Sequence, residues 1–175
     1  MILFLDFDGV LHADAVYKLR HKPLELRAEG ALMMHAPLLE DILDEYDPHS
    51  HIKIILSSSW VRSLGFSKTL KKLTPRLRSR VEGATWHSMM KKSDGRPYSR
   101  AVDHFNGVPR WQQIVWYVKR HQVEHWLAID DLHSNTEFWP EDWREHLILT
   151  EGDKGLGDES VQAELKLKIK KLMAN

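Results

Sequence analysis

The sequence predicts an α/β fold in which helices cover both faces of a mainly parallel β-sheet. Short apolar runs typical of strands buried on both faces lie at residues 1–5, 52–56, 126–129 and 147–150. Segments with helical character separate most of these runs, which gives the order β-α-β-α-β-α-β-β-α. This alternation is typical of a three-layer sandwich.

The remaining elements follow along the chain. A mixed stretch over residues 13–28 predicts a loop or short hairpin beside the end of the first strand. The sequence also predicts helices over 36–46, 60–73 and 158–173, a helix that opens at Pro109, and a weak third strand over 81–85. The polar stretch over 86–107 predicts a small loop insertion in a single domain that spans residues 1–175.

Composition restricts the possible functions. Lys plus Arg and Asp plus Glu number 25 each, so no global charge attracts nucleic acid or anionic membranes. The absence of Cys excludes disulfides, thiolate nucleophiles and Cys-zinc sites. No apolar run approaches the roughly 18 residues of a membrane span, and no basic leader precedes the first run. We therefore expect a soluble, cytoplasmic protein.

Polar residues follow three of the strong strands. Asp6 and Asp8 follow the first strand, Ser57 the second, and Asp130 and Asp131 the fourth. Since the carboxyl ends of parallel strands share one edge, where open α/β sheets bind ligands, we expect these side chains to lie together. Crowded carboxylates need a cation, and an all-oxygen ligand set suits Mg²⁺. Such a metal could also hold a phosphate beside the hydroxyl.

Three short motifs, taken in order, resemble those of the haloacid dehalogenase-like (HAD) phosphohydrolase superfamily. They are DFDGVL at 6–11, IKIILS at 52–57 and AIDD at 128–131. The resemblance implies a HAD-like Rossmannoid fold and a Mg²⁺-dependent phosphatase. It also implies that Asp6 is the nucleophile and forms an aspartyl-phosphate. Asp8 would be the general acid for the leaving group and then the base that activates water.

The same resemblance implies the binding residues. Ser57, with Ser58 in the same turn, would bind the phosphate, although Ser57 could instead only cap the next helix. The implied Mg²⁺ ligands are Asp6, Asp8 through its main-chain carbonyl, Asp130 and Asp131. Asp131 could alternatively lie at the surface or behind the ligands.

The family has one more motif, which lies between IKIILS and AIDD, and there this sequence departs from the family pattern. The family usually places a Lys at the start of the helix before the fourth strand, and the first basic residue there is Arg110. Lys119 lies roughly 13 Å further along the same helix, toward the wrong end of the sheet. We therefore expect Arg110 to bind the phosphate, with Lys91 or Lys92 of the long loop as alternatives.

Neither slot where this superfamily inserts a cap is long enough for a domain. We therefore expect no large cap and an open site, which favours a large phosphorylated substrate such as a nucleic-acid end or a protein. The turn at 57–60 and the segment at 149–156 are similar to small HAD domains of RNA-repair-associated proteins. Two alternatives remain: a catalytically silent HAD-fold binding or regulatory module, and a phosphotransferase with an acceptor other than water.

Overall fold

The computed structural model describes residues 1–19, 22–86, 91–92, 102–103, 108–131 and 139–174, with the backbone alone for 91–92 and 102–103. Its strands are β1 (Ile2–Leu5), β2 (Val16–Lys18), β3 (Leu24–Leu26), β4 (Lys53–Leu56), β5 (Val81–Ala84), β6 (Lys91–Lys92), β7 (Val102–Asp103), β8 (Trp126–Asp131) and β9 (Leu147–Thr150). Its α-helices are α1 (Ala36–Tyr46), α2 (Ser59–Leu64), α3 (Phe66–Leu70), α4 (Pro75–Arg80), α5 (Arg110–His121) and α6 (Glu159–Met173). The segments Glu141–His146 and Gly155–Gly157 form 3₁₀ helices on either side of β9.

The central sheet has the strand order β5-β4-β1-β8-β9, and each neighbouring pair is parallel. β1 lies in the middle, where it pairs with β4 on one side and β8 on the other. Such a strand is covered on both faces, which explains the unbroken apolar run at its sequence position. The predicted parallel sheet is confirmed.

Helices cover both faces of this sheet. Leu3 and Leu5 pack in one core cluster with α1 and α6, whereas Phe4 packs in a second cluster with α5. Successive side chains of a strand point to opposite faces, which divides the core in this way. The predicted three-layer sandwich is therefore confirmed, and the described residues contain no cap domain. No described helix combines the length and the apolar character that crossing a membrane requires.

The predicted helix over 60–73 is wrong in its continuity. The structure divides it into α2 and α3, and Gly65 between them has a φ of +88°. A positive φ interrupts an α-helix, and glycine adopts it without steric cost. Pro75, which follows the predicted helix, opens α4, a position in which its fixed φ and missing N–H are tolerated.

Two antiparallel strand pairs lie outside the central sheet in the described part of the chain. Residues 13–28 contain the expected hairpin, in which β2 pairs antiparallel with β3. Within the expected insertion over 86–107, β6 pairs antiparallel with β7. Most of that insertion, including the side chains of Lys91 and Lys92, lies outside the described residues. The insertion and the single-domain organisation therefore stay predictions.

Candidate active site

Asp6, Ser57 and Asp130 lie side by side at the carboxyl edge of the sheet. Leu5 pairs with the residues that directly precede Ser57 and Asp130, so the next residue of each strand reaches the same edge. The Ser57 amide donates to the Leu5 carbonyl over 2.8 Å, and the Asp6 amide donates to the Ile129 carbonyl over 3.2 Å. These bonds extend the parallel ladder past β1 and bring the predicted side chains together.

Arg110, the first residue of α5, reaches this edge. Its Nη2 lies 3.1 Å from Asp6 Oδ2, and its Nε lies 3.4 Å from Asp130 Oδ2. Its Nη1 also donates to the main-chain carbonyl of Ser57. Burial lowers the pKa of Arg110, but the surrounding carboxylates, Asp6 first, raise that pKa above its ordinary value. A permanent cation thus stands where the family's Lys was expected, whereas Lys119 is exposed further along α5.

Asp6 is buried, with 4% of its surface exposed. Its Oδ1 accepts a hydrogen bond from the Phe7 amide over 2.7 Å, while Oδ2 faces Arg110. Burial raises the pKa of Asp6 above the ordinary value of an aspartate, although Arg110, the Phe7 amide and the Ser58 hydroxyl act in the opposite direction. Asp6 therefore depends on nearby positive charge to be ionised.

Two side chains that the sequence analysis did not single out hold Asp8. Trp60 Nε1 donates to both carboxylate oxygens, over 3.0 Å to Oδ1 and 2.8 Å to Oδ2. His12 Nε2 lies 3.2 Å from Asp8 Oδ1, and His12 Nδ1 accepts from the Met33 amide over 3.4 Å. Because Nδ1 accepts, Nε2 carries the proton and donates to Asp8. The Asp8 side chain is still 22% exposed, so it can face a substrate while it is held.

Both of these residues lie close to motifs in the sequence. His12 follows Asp8 by four positions, and its side chain is fully buried. Trp60 lies in the first turn of α2, and its ring packs edge-on against Phe7 with centroids 5.5 Å apart. In the sequence, the one signal for the contact between Trp60 and Asp8 is that a tryptophan directly follows the serine turn. Only the fold shows that it points back to Asp8.

The two serines of the turn after β4 have different contacts. Ser58 caps α2, since its Oγ accepts from the Trp60 amide over 3.4 Å. Ser57 Oγ is buried and has no hydrogen-bond partner among the described residues. A buried hydroxyl without a partner is costly, and a phosphoryl oxygen would satisfy it. The alternative role of Ser57 as the cap belongs to Ser58 instead.

Asp131 packs against the turn that follows β1. It is 3% exposed, which excludes the alternative of a surface position. A Cβ placed on Gly9, whose φ is +68°, would lie only 2.4 Å from Asp131 Oδ2. Thr150 Oγ1 donates to the Gly9 carbonyl over 2.6 Å, which ties this turn to β9. The carboxylate and the backbone of the first motif are thus in close contact.

The chemistry of this donor set fits a divalent cation. Asp6, Asp8, Asp130 and Asp131 all act electrostatically on Arg110, so the described part of the site carries more negative than positive charge. All of their donors are oxygens, which Mg²⁺ prefers. No three His, Asp or Glu side chains among the described residues are arranged as a metal site. In this arrangement Arg110 supplies the positive charge between Asp6 and Asp130.

One comparison with known proteins found a match. A family model described as the HAD domain in Swiss Army Knife RNA repair proteins matches residues 2–161. Searches of curated proteins and of solved structures found no match. The matched segment contains every site residue described above and most of the chain. The chain therefore belongs to this family of HAD domains.

Proposed function

We propose that this chain is a Mg²⁺-dependent phosphatase that hydrolyses a phosphomonoester through an aspartyl-phosphate on Asp6. Membership of a HAD family supports phosphatase or hydrolase chemistry in general. The observation that carries the proposal is the surroundings of Asp6. The carboxylate contacts the Arg110 guanidinium, and the neighbouring Ser57 hydroxyl is buried without a partner in the described part of the chain. Both groups can receive phosphoryl oxygens beside the nucleophile.

The first step transfers the phosphoryl group to the protein. An Asp6 carboxylate oxygen forms a bond to phosphorus, and the ester P–O bond breaks. Protonated Asp8 gives its proton to the leaving oxygen, so an alcohol departs. Trp60 and His12 hold Asp8 for this transfer, because their N–H groups fix the orientation of its carboxyl.

The second step returns the protein to its starting state. Asp8, now a carboxylate, takes a proton from water while the water oxygen bonds to phosphorus. The bond between phosphorus and the Asp6 oxygen breaks, which releases inorganic phosphate. Arg110 and the Ser57 hydroxyl donate to the equatorial phosphoryl oxygens in both steps, where charge develops in the transition state.

The residues that would hold Mg²⁺ are Asp6, the main-chain carbonyl of Asp8, Asp130 and Asp131. When bound, the ion would supply positive charge that screens the phosphate from the buried carboxylates. Arg110 supplies part of that charge by itself, since it contacts both Asp6 and Asp130.

As the substrate we propose the phosphorylated end of a nucleic acid. The family is described by its occurrence in RNA repair proteins. The described residues also place no cap domain over the carboxyl edge, and Asp8 is partly exposed there. A long polymer could therefore present its terminal phosphate to Asp6.

A catalytically silent binding module is the second candidate function. The contact of Arg110 with both Asp6 and Asp130 favours it, because the guanidinium offsets part of their negative charge without a metal. The presence of Asp8, which Trp60 and His12 hold in place, argues against it. A phosphate binder has no use for a second carboxylate that can carry a proton.

A phosphomonoester screen with and without Mg²⁺ separates the candidates. The phosphatase releases inorganic phosphate, loses activity in EDTA and regains it with Mg²⁺. Asp6→Asn should abolish turnover while the circular dichroism spectrum and unfolding midpoint stay close to those of the wild type. Asp142→Asn is the matched control, because this exposed carboxylate lies in the 3₁₀ helix before β9, at the opposite edge of the sheet. A turnover rate of Asp6→Asn equal to that of the wild type would refute the proposal.

A further inference from the structure

A cavity of about 540 Å³ lies beside the proposed phosphate site, between α5 and the edge strand β5. Thr85 and Gln113 line the end of the cavity that is nearer to the phosphate site. The Thr85 amide donates to the Leu56 carbonyl over 2.9 Å, directly before Ser57. Gln113 lies one helical turn after Arg110. The cavity therefore begins at residues that adjoin Ser57 and Arg110 of the proposed phosphate site.

The cavity extends away from the site along α5. Its far end is lined by Arg120 and His121, at the last turn of this helix. At about 1.5 Å per residue, Arg120 lies roughly 15 Å from Arg110 along the helix axis. A volume of 540 Å³ falls within the range of about 300–1,000 Å³ that is typical of small-ligand pockets. The cavity can thus hold a group that is attached to the reacting phosphate.

Aromatic rings form much of the lining. They belong to Phe66, Trp86, Trp116 and Tyr117. Trp116 is 41% exposed, whereas Ile114, Val115 and Val118 of the same helix form its buried stripe. Trp116 therefore contributes less to the core than its size allows, and part of its indole faces solvent at the cavity.

Charge around the cavity favours an anionic ligand. Arg120 and His121 lie at its far end, and Lys119 precedes them in the same basic last turn. Glu82, the acid of the described lining, lies 3.8 Å from Lys53, which offsets its charge. Aromatic rings interleaved with cations are the arrangement that binds single-stranded nucleic acid, since bases stack on the rings while cations meet the phosphates.

We infer that this cavity binds the nucleotides adjoining the terminal phosphate of a single-stranded polynucleotide, with a base against Trp116 and a backbone phosphate at Arg120. The inference rests on the proposed function and adds the subsite that selects a polymer end over a small phosphomonoester. It also assigns a direction to the bound polynucleotide, which would run from its terminal phosphate at Asp6 toward the C-terminal end of α5.

Binding is measured without turnover in an Asp6→Asn background, by fluorescence anisotropy of a labelled single-stranded oligoribonucleotide. One arm carries a 3′-phosphate, one a 5′-phosphate, and a third is a labelled phosphopeptide. Adding Trp116→Ala should weaken oligonucleotide binding by about 5- to 150-fold, the range for loss of one base–aromatic stack. Adding Arg120→Gln should lower the slope of log Kd against log salt by about 0.7.

Matched controls lie on α6, across the sheet. Leu167→Ala removes another exposed apolar side chain, and Lys171→Gln removes another exposed charge. Neither should change oligonucleotide binding as the cavity variants do. Equal losses in control and cavity variants would overturn the inference, and so would phosphopeptide binding as tight as that of the oligonucleotides.

Kinetics of the active protein separate this inference from the proposed function. Trp116→Ala should lower the ratio of kcat/KM for a phosphorylated oligonucleotide to kcat/KM for p-nitrophenyl phosphate, mainly through KM. Hydrolysis of p-nitrophenyl phosphate with no preference for the oligonucleotide would refute the cavity assignment and leave the phosphatase intact. Oligonucleotide binding that depends on Trp116, with no hydrolysis of any substrate, would refute the phosphatase and leave the cavity assignment intact.

Discussion

The hydrogen bonds from Trp60 to Asp8 give the most specific prediction about the proposed chemistry. Trp60→Phe removes the indole N–H that lies 3.0 and 2.8 Å from the two Asp8 oxygens. It keeps an aromatic ring that can pack against Phe7, which the indole contacts edge-on. The change therefore targets the orientation of Asp8 and leaves Asp6 and Arg110 as they are.

The size of the effect follows from the bond that is lost. A hydrogen bond to a charged group contributes about 1.5–3 kcal/mol, which corresponds to about 10- to 150-fold in rate. His12 keeps its own contact to Asp8 at 3.2 Å, so we expect a loss near the lower end, about tenfold. General acid–base catalysis contributes about 10²- to 10⁴-fold in total, and this sets the upper limit.

The assay compares kcat/KM for an alkyl phosphomonoester and for p-nitrophenyl phosphate. kcat/KM reports steps up to release of the first product, so it isolates the proton that Asp8 gives to the leaving group. An alkoxide needs that proton, whereas a nitrophenolate leaves as a stable anion. Trp60→Phe should therefore lower kcat/KM for the alkyl substrate and leave the aryl value nearly unchanged. Trp143→Phe, in the aromatic cluster around Trp126, is the matched control. Equal losses on both substrates would refute the reasoning.

Three further predictions concern the packing and charge around the same edge. Ser57→Ala should lower kcat/KM by about a hundredfold without lowering the free energy of unfolding, because in the proposed mechanism its buried hydroxyl donates to phosphate and it bonds to no described residue; a destabilised variant in urea unfolding would contradict this. Gly9→Ala should lower the free energy of unfolding by more than about 1 kcal/mol, because φ is +68° and Asp131 leaves no room for a Cβ; an unchanged urea midpoint would contradict it. Burial raises the pKa of Asp47, but the amides of residues 51–52 and Arg80 lower it by more, to below its ordinary value. The stability that the Asp47 carboxylate contributes to the fold is therefore present above the unfolded pKa of about 3.9 and is lost as the pH falls through the folded pKa. On acidification, the Tm of Asp47→Asn should accordingly fall less than the Tm of the wild type.

The sheet and its shared edge were predictable because they depend on local patterns. An apolar run marks each buried strand, and parallel pairing then brings Asp6, Ser57 and Asp130 to one edge whatever the loops do. The position of Arg110 was predictable for the same reason, since the first turn of a helix before β8 must lie near that edge. The fold class and the meeting of these side chains required no knowledge of tertiary contacts.

Contacts between distant segments were not predictable. Trp60 and Asp8 are 52 positions apart, and the bond between them depends on the direction in which α2 leaves the serine turn. The break at Gly65 sets that short helix apart from α3, and a helical pattern that runs through a glycine does not reveal it. The role of His12 depends on the Met33 amide, which fixes its tautomer across a loop. The residues that hold Asp8 therefore emerge only from the fold.

The most direct test of the central claim is mass spectrometry of the protein after rapid acid quench during turnover of a phosphomonoester. The account predicts one phosphoryl group on the peptide that contains Asp6, labile to hydroxylamine as an acyl phosphate is. The adduct should be absent from Asp6→Asn, and it should accumulate in Asp8→Asn with an aryl substrate, because its hydrolysis needs the base. Steady turnover with no phosphoryl group on the protein, or with the group on another residue, would contradict the account.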